Sequence, residues 1–320
     1  MHSPPDKPVV IIAGPTASGK SALALEVAAA RGGTIINADS QQIYRDLTIL
    51  SARPDEAAIC RVPHRLYGFL DAAERGSVAL WRERAWAEIA AAQAAGRLPF
   101  LVGGTGLYLR AMQRGLAPVP AIPAAIRADA AALHDRLGGV AFRERLAALD
   151  PTAAQRLPPG DRQRLLRAWE VVRATGRPLG DWQRRAAKSA PGPASLRFAT
   201  VLIMPPREAL YTACDRRFEA MIAAGALDEA AAVMARGLPA DLPAMKAVGL
   251  PELLRHLRGE IPLDEAIVAA QRATRRYAKR QMTWFRHQIV ADLVFDQQVS
   301  ASMSRQANDF IDHLLLTLSP

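Results

Sequence analysis

Cysteine is scarce in this chain: Cys60 and Cys214 are the only two among 320 residues, far apart and with no C-x-x-C spacing. That excludes a disulfide framework and offers no zinc-ligand pattern. Long apolar runs are missing as well. Met1 to Pro8 is polar and proline-rich with nothing of secretory-signal character, and no later run approaches a membrane span. These absences predict a cytoplasmic protein that does not touch a membrane. Lysine is rare, since only five of the 41 basic residues are Lys (7, 20, 188, 246 and 279) and the rest are Arg. Internal repeats are lacking, which argues against a solenoid.

Half of the residues are hydrophobic, ample for the core of one large or two modest domains. The net charge of +10 favours an extended polyanionic partner such as a nucleic acid, although so much Arg beside so much Ala is also what GC-rich coding produces. Charge alone leaves the two accounts level.

The most informative stretch is Gly14-Pro15-Thr16-Ala17-Ser18-Gly19-Lys20-Ser21. It matches G-x-x-x-x-G-K-[ST] at every fixed position, after the apolar run Val9 to Ala13 and before a helical Ser21 to Ala30. Gly14 and Gly19 let the backbone turn its N–H groups onto an anion, and the helix start adds unpaired amides and the positive end of its dipole. Lys20 then supplies a charge for the outer phosphate, and the Ser21 hydroxyl a ligand for Mg²⁺. The pattern predicts a bound di- or triphosphate; a chance glycine-rich turn is the bland competitor.

Taken in order, the chain predicts an α/β protein. Strands are expected at Val9 to Ala13, Thr34 to Ala38, Leu98 to Val102 and Phe198 to Met204, with a short edge strand at Leu293 to Phe295. In such a sheet ligands gather beyond the carboxyl ends of the strands. Asp39, just past the second strand, therefore falls beside the phosphate loop as a metal-orienting acid, a general base, or merely a helix cap. Gly103-Gly104-Thr105-Gly106 follows the third strand and reads either as a second site element with Thr105 its hydrogen-bonding side chain or as a structural turn. The tail after Ser300 carries no functional signal.

Residues 118–197 change texture to Arg- and Ala-rich helices without a strand-like run. They read as an all-helical domain inserted in a P-loop core formed by 1–117 and 198–320. Within the insert, Asp161 to Val172 is amphipathic, with Leu165, Leu166, Trp169 and Val172 on one face and Arg162 and Arg167 free for phosphates or for water. A late helix aligns Arg272, Arg276 and Arg280, with Tyr277 and Trp284 on another face; this suits nucleic acid and equally an ordinary surface helix.

In combination the segments resemble the tRNA dimethylallyltransferases. The resemblance rests on Gly14 to Ser21, Asp39 to Tyr44, Gly103 to Tyr108, Gln163 to Arg167 with Ala174 to Pro178, and Thr274 to Gln281 with Thr283 to Arg286, in the family's order across nearly the whole chain. It implies transfer of the dimethylallyl group from dimethylallyl diphosphate to N6 of the adenine on the 3′ side of the anticodon. Asp39 would be the base and Thr105 would help to position the reacting groups. The diphosphate would lie on Gly14, Pro15, Thr16, Ala17, Ser18, Gly19, Lys20 and Ser21 with Arg217 and Mg²⁺. By the same resemblance Asp39, Ser40, Gln41, Gln42, Thr105, Arg127, Gln163, Arg164, Leu165, Leu166, Arg167, Lys246 and Gly249 touch the tRNA anticodon stem-loop, and a monomer is expected.

Two stretches depart from the family's pattern. Gly249-Leu250-Pro251-Glu252 lacks an aromatic ring and a basic residue, and Leu50-Ser51-Ala52-Arg53-Pro54 lacks a glycine while Arg53 keeps the charge. The rival reading is a P-loop small-molecule or nucleoside kinase, with Asp39 as base for a hydroxyl and Arg162 and Arg167 over ATP. A third is an RNA-binding protein without catalysis.

Overall fold

In a computed structural model, residues 7–186, 196–297 and 300–318 are described. The strands are β1 (Lys7–Ala13), β2 (Thr34–Asn37), β3 (His64–Arg65), β4 (Pro99–Gly103), β5 (Leu196–Ile203) and β6 (Leu293–Phe295). The helices in chain order are α1 (Lys20–Ala30), α2 (Glu56–Arg61), α3 (Val78–Ala94), α4 (Gly106–Arg114), α5 (Ala124–Ala147), α6 (Pro151–Arg156), α7 (Arg162–Thr175), α8 (Leu179–Ala186), α9 (Arg207–Ala223), α10 (Ala226–Ala235), α11 (Leu250–Leu257), α12 (Leu263–Gln288) and α13 (Ala301–Leu318). The chain divides into two units, Met1–Gln113 with Pro193–Pro320, and Arg114–Gly192.

The first unit is built on one sheet with strand order β3-β2-β4-β1-β5-β6, every pairing parallel. Parallel strands need crossovers that cover both faces, so the inner strands are apolar throughout. In β1, Val9, Ile11 and Ala13 enter one apolar cluster with Trp81 and Leu109, whereas Val10 and Ile12 enter the other with Leu23, Val27 and Phe100. That period of two is the pleat of the strand expressed as packing. Trp81 of α3 is fully buried, donates its indole N–H to the Asn37 carbonyl at 2.7 Å and stacks on Tyr108 with ring centroids 4.3 Å apart.

The four expected principal strands and the edge strand are all present, as an α/β sheet of the P-loop kind. Further elements go beyond what the sequence predicts. The two-residue β3 joins the sheet edge beside β2. The chain passes through a short 3-10 turn at Ala244–Lys246 and then begins α11, with Pro251 in the first helical turn where its missing N–H costs nothing. The tail after Ser300 forms α13, whose Met303, Ala307 and Ile311 are buried in the cluster that also holds α1.

The second unit is helical. Asp150 caps α6 by accepting from the Ala153 amide at 2.9 Å, Asp161 caps α7 by accepting from the Arg164 amide, and Gly176 closes α7 with φ of 67°. Its core is Phe142, Leu146, Leu165, Ala168 and Val172. Leu165 is therefore a core residue, 0% exposed, with its side chain packed inside the helical unit.

Candidate active site

β1, β2 and β4 end at one edge of the sheet, and the loops beyond them meet there. The phosphate loop leaves β1 with Ala17 at φ 61° and Gly19 at φ 88°, and Gly19 opens α1 without a side-chain cap. The first-turn amides of α1 are thus left to a ligand. Ser18 Oγ is buried and has no hydrogen-bond partner among the described residues, an orphan donor inside the cradle that a phosphate oxygen would satisfy.

Lys20 is 8% exposed and donates from Nζ to the Pro15 carbonyl at 3.3 Å. Burial brings its ammonium pKa down to about 8; Asp39 opposes that fall and Arg217 adds to it. Arg217, from α9, donates Nη1 to Thr16 Oγ1 at 3.3 Å. Its own affinity for a proton is lowered, first by burial, with Asp39 acting in the opposite sense. Two cations and a cradle of amides beside one carboxylate make a site short of negative charge.

Asp39 is oriented by its neighbours. Its amide donates to Asn37 Oδ1 at 2.8 Å and its own Oδ1 accepts from the Gln41 amide at 3.0 Å. Thr105 Oγ1 accepts from the Ser40 amide at 2.8 Å and bonds Ser40 Oγ at 3.1 Å, which ties the β4 loop to the β2 loop. The expected close approach of the three glycines is real, but their neighbours are parts of this chain. A Cβ at Gly103 would meet the Ala38 carbonyl, one at Gly104 the Gln281 amide, and one at Gly106 the Trp284 ring.

Asp39, Lys20, Ser21, Thr16, Gln41 and Gln42 line a single cleft. Leu50, Phe218, Met221 and Val248 add apolar side chains to its lining, and Ser51, Arg217 and Thr274 polar ones. Two residues to which the sequence gave no place in the site prove central. Tyr277 of α12 enters the cleft, where burial and then Asp39 raise its phenol pKa, while bonds to Gln41 and Thr105 act the other way. Gln281, one helical turn on, accepts from the Thr16 amide and donates to the Gly104 carbonyl, both at 2.8 Å. Both lie in the Thr274 to Gln281 stretch, and the position of each on a surface-like helix hid them.

Other expected residues lie elsewhere or are already engaged. Gln42 Nε2 donates to the Ser51 and Ala52 carbonyls, and Gln41 Oε1 accepts from the Val248 amide at 3.1 Å. Lys246 is exposed, and Gly249, at φ 91°, is buried against Phe218. In the helical unit Gln163, Arg164 and Arg167 are exposed and Leu166 is half-buried; Arg164 pairs with Asp161 and Arg167 with Glu170, while Arg127 donates to the Ile122 carbonyl.

A phosphate loop on the first strand, a carboxylate on the second and an arginine facing both define a group-transfer enzyme of the P-loop class that handles a phosphorylated donor. The IPP transferase family model matches residues 42–288. A tRNA dimethylallyltransferase from Rhodospirillum centenum is 59% identical over 92% of this chain and 93% of its own length, and one from Rhodospirillum rubrum is 54% identical over 98% and 96%. A solved full-length tRNA isopentenylpyrophosphate transferase from Bacillus halodurans is 32% identical, with a TM-score of 0.69 and 98% of both chains covered. A solved eukaryotic dimethylallyltransferase acting on tRNA, 24% identical, shares the fold with a TM-score of 0.79 over 96% of this chain and 80% of that one. The chain belongs to the IPP transferase family, whose relatives carry the name tRNA dimethylallyltransferase. The kinase reading falls away, since these relatives are prenyltransferases.

Proposed function

We propose that this protein transfers the dimethylallyl group of dimethylallyl diphosphate to N6 of the adenine 3′-adjacent to the anticodon of tRNA. The observation that carries the reading is the shared cleft, which Asp39 lines together with Lys20, Arg217 and the apolar side chains of Leu50, Phe218, Met221 and Val248. The apolar side chains suit a five-carbon tail; the cations suit its diphosphate.

In the reaction N6 attacks C1 of the allyl group, the C1–O bond breaks, and its electron pair leaves with diphosphate. The amine's lone pair is delocalised into the adenine ring, so it needs a base as the new bond forms; Asp39 takes the N6 proton. Lys20, Arg217, Ser18 and the loop amides hold the charge that grows on the leaving group. Thr105 and Tyr277 orient the ring. Ser21, in the first turn of α1 and on the wall of the cleft, carries the hard hydroxyl oxygen that would hold a Mg²⁺. When bound, that ion neutralises diphosphate charge.

The adenine must leave its stack to enter the cleft, at a cost of roughly a few kcal/mol. Ser40, Gln41, Lys246 and the loop at Gly249 in the sheet unit, and Arg127, Gln163, Arg164 and Arg167 in the helical unit, would hold the anticodon stem-loop through backbone contacts, which fix its register. The protein acts as a monomer in the cytoplasm; among the described residues no helix is long and apolar enough to cross a membrane.

The decisive test is mass analysis of nucleosides from tRNA incubated with the enzyme, dimethylallyl diphosphate and Mg²⁺. A dimethylallyl-sized gain on adenosine is expected; unmodified adenosine with an active donor preparation would remove the reading.

A further inference from the structure

Three consecutive backbone amides, those of Thr48, Ile49 and Leu50, converge on one carboxylate. Glu229 Oε2 accepts from Thr48 at 2.6 Å and Ile49 at 2.8 Å, and Glu229 Oε1 accepts from Leu50 at 2.9 Å. Successive N–H groups turned to one side form an anion-binding concavity, and here a side chain of the same chain fills it. Glu229 itself sits in the first turn of α10, where its charge also faces the positive end of the helix. The contact joins segments about 180 residues apart in sequence.

Both segments so joined contribute lining residues to the cleft. The loop supplies Leu50 and Ser51, and α9, which runs directly into α10 through Gly225, supplies Phe218 and Met221. At that corner a Cβ on Gly225 would come within 3.8 Å of Ile49. The loop's other bonds are internal or come from nearby in sequence. The Ala52 and Arg53 amides donate to the Ile49 and Thr48 carbonyls, Ser51 Oγ donates to the Leu47 carbonyl, Gln42 Nε2 donates to the Ser51 and Ala52 carbonyls, and Arg53 reaches Thr48 Oγ1 at 3.5 Å. Glu229 is the one that comes from a distant segment among the described bonds. Leu50 is 5% exposed and Phe218 2%, and a Cβ on Gly249 would lie 2.6 Å from the Phe218 ring and 3.6 Å from Leu50. Leu50, Phe218 and Gly249 thus crowd one corner, and the separation of the two segments depends on where the loop is held.

We propose that Glu229 is a positioning residue that sets the width of the apolar end of the cleft by fixing Leu50 against Phe218, and thereby selects a five-carbon prenyl tail. The inference rests on the dimethylallyl diphosphate reading above. It concerns the tail alone, because the diphosphate cradle is built from the Gly14 to Ser21 loop, Lys20 and Arg217, none of which Glu229 touches among the bonds of the described residues.

The test compares two ligands in one variant. Glu229→Gln keeps the size of the side chain but replaces one acceptor oxygen by an N–H donor that faces the amides. The KM for dimethylallyl diphosphate is expected to rise about tenfold, the scale on which an apolar pocket senses one methylene. The inhibition constant of inorganic diphosphate, the KM for tRNA and kcat should stay within about twofold. Leu50→Ala, which leaves the carboxylate and its amides intact, should give the same split and accept geranyl diphosphate better than the parent does. An equal loss for dimethylallyl and inorganic diphosphate, or no change in either, overturns the inference. Failure of Glu229→Gln to fold, with Leu50→Ala showing no split, overturns it too. Absence of prenyl transfer in the unaltered protein instead removes the underlying reading.

Discussion

Arg217 reaches from α9 to place its Nη1 3.3 Å from Thr16 Oγ1 in the phosphate loop. The guanidinium is thus aimed at the cradle by a neutral hydroxyl and not neutralised by a bonded carboxylate. Arg217→Ala is expected to lower kcat by about 10²- to 10³-fold, the effect of removing one donor to a developing anion, and Arg217→Lys to recover only part because a single ammonium lacks the planar fork. Steady-state kinetics on both variants checks this; an unchanged kcat would place Arg217 outside the leaving-group site.

Asp39 lines the same cleft, and the proposed reaction gives it the base role. Asp39→Asn should slow turnover by about 10²- to 10⁴-fold while tRNA binding, read by filter retention, changes little. A parallel loss of tRNA affinity would assign the carboxylate to recognition.

Lys20 makes the reaction pH-dependent in a stated direction. Its ammonium titrates near 8 in the free protein because burial disfavours the charge. Below that pH it is charged and grips diphosphate, so kcat/KM for the donor should fall as pH rises through about 8. The linkage to stability has the opposite sign. The unfolded chain binds a proton that the folded one has released between about 8 and the ordinary lysine value of 10.5, so Lys20 makes stability rise with pH across that window. A donor kcat/KM that stays flat from about pH 7 to 9.5, or an equal slope in Lys20→Met, contradicts the assignment.

In the helical unit, Arg167 is exposed and spans 3.7 Å to Glu170. Charge removal there should weaken tRNA binding and flatten the plot of log affinity against log salt by about 0.7 to 0.9 per phosphate no longer neutralised. Equilibrium titrations at several salt concentrations on Arg167→Ala measure that slope, and a slope equal to the parent's would exclude a phosphate contact.

Gly106 lies under the Trp284 ring. Gly106→Ala should cost about 1–3 kcal/mol of stability by overpacking, read as a lowered urea midpoint. Full stability would mean that α4 and α12 part easily.

The strand–loop–helix at Val9 to Ala30 was legible because a fixed spacing of glycine, lysine and serine has a direct physical cause, and Asp39 followed from its place past the second strand. What stayed hidden depended on partners far away in sequence. Tyr277 and Arg280 sit on the same helix, and only the packing of α9 against α12 decides that the phenol turns inward. Leu50 and Phe218, 168 positions apart, show nothing of a shared lining until the chain folds. The β3 pair is too short for any period to register, and Pro251 suggested a stop where it in fact opens a helix. In α13, Met303, Ala307, Ile311 and Leu314 do recur at helical spacing, but the polar residues between them masked the pattern.

That last helix has a consequence for how the molecule is made. Met303 and Ile311 cover the same apolar layer as Leu23 and Val27 of α1, and Arg31 holds Asn308 and Asp312. During translation the segment that bears the phosphate loop emerges early, yet its greasy underside waits for residues 301–318 to clear the ribosome. Until then the nascent chain presents a sticky patch to chaperones, and a premature stop codon near residue 300 would leave that patch open for good.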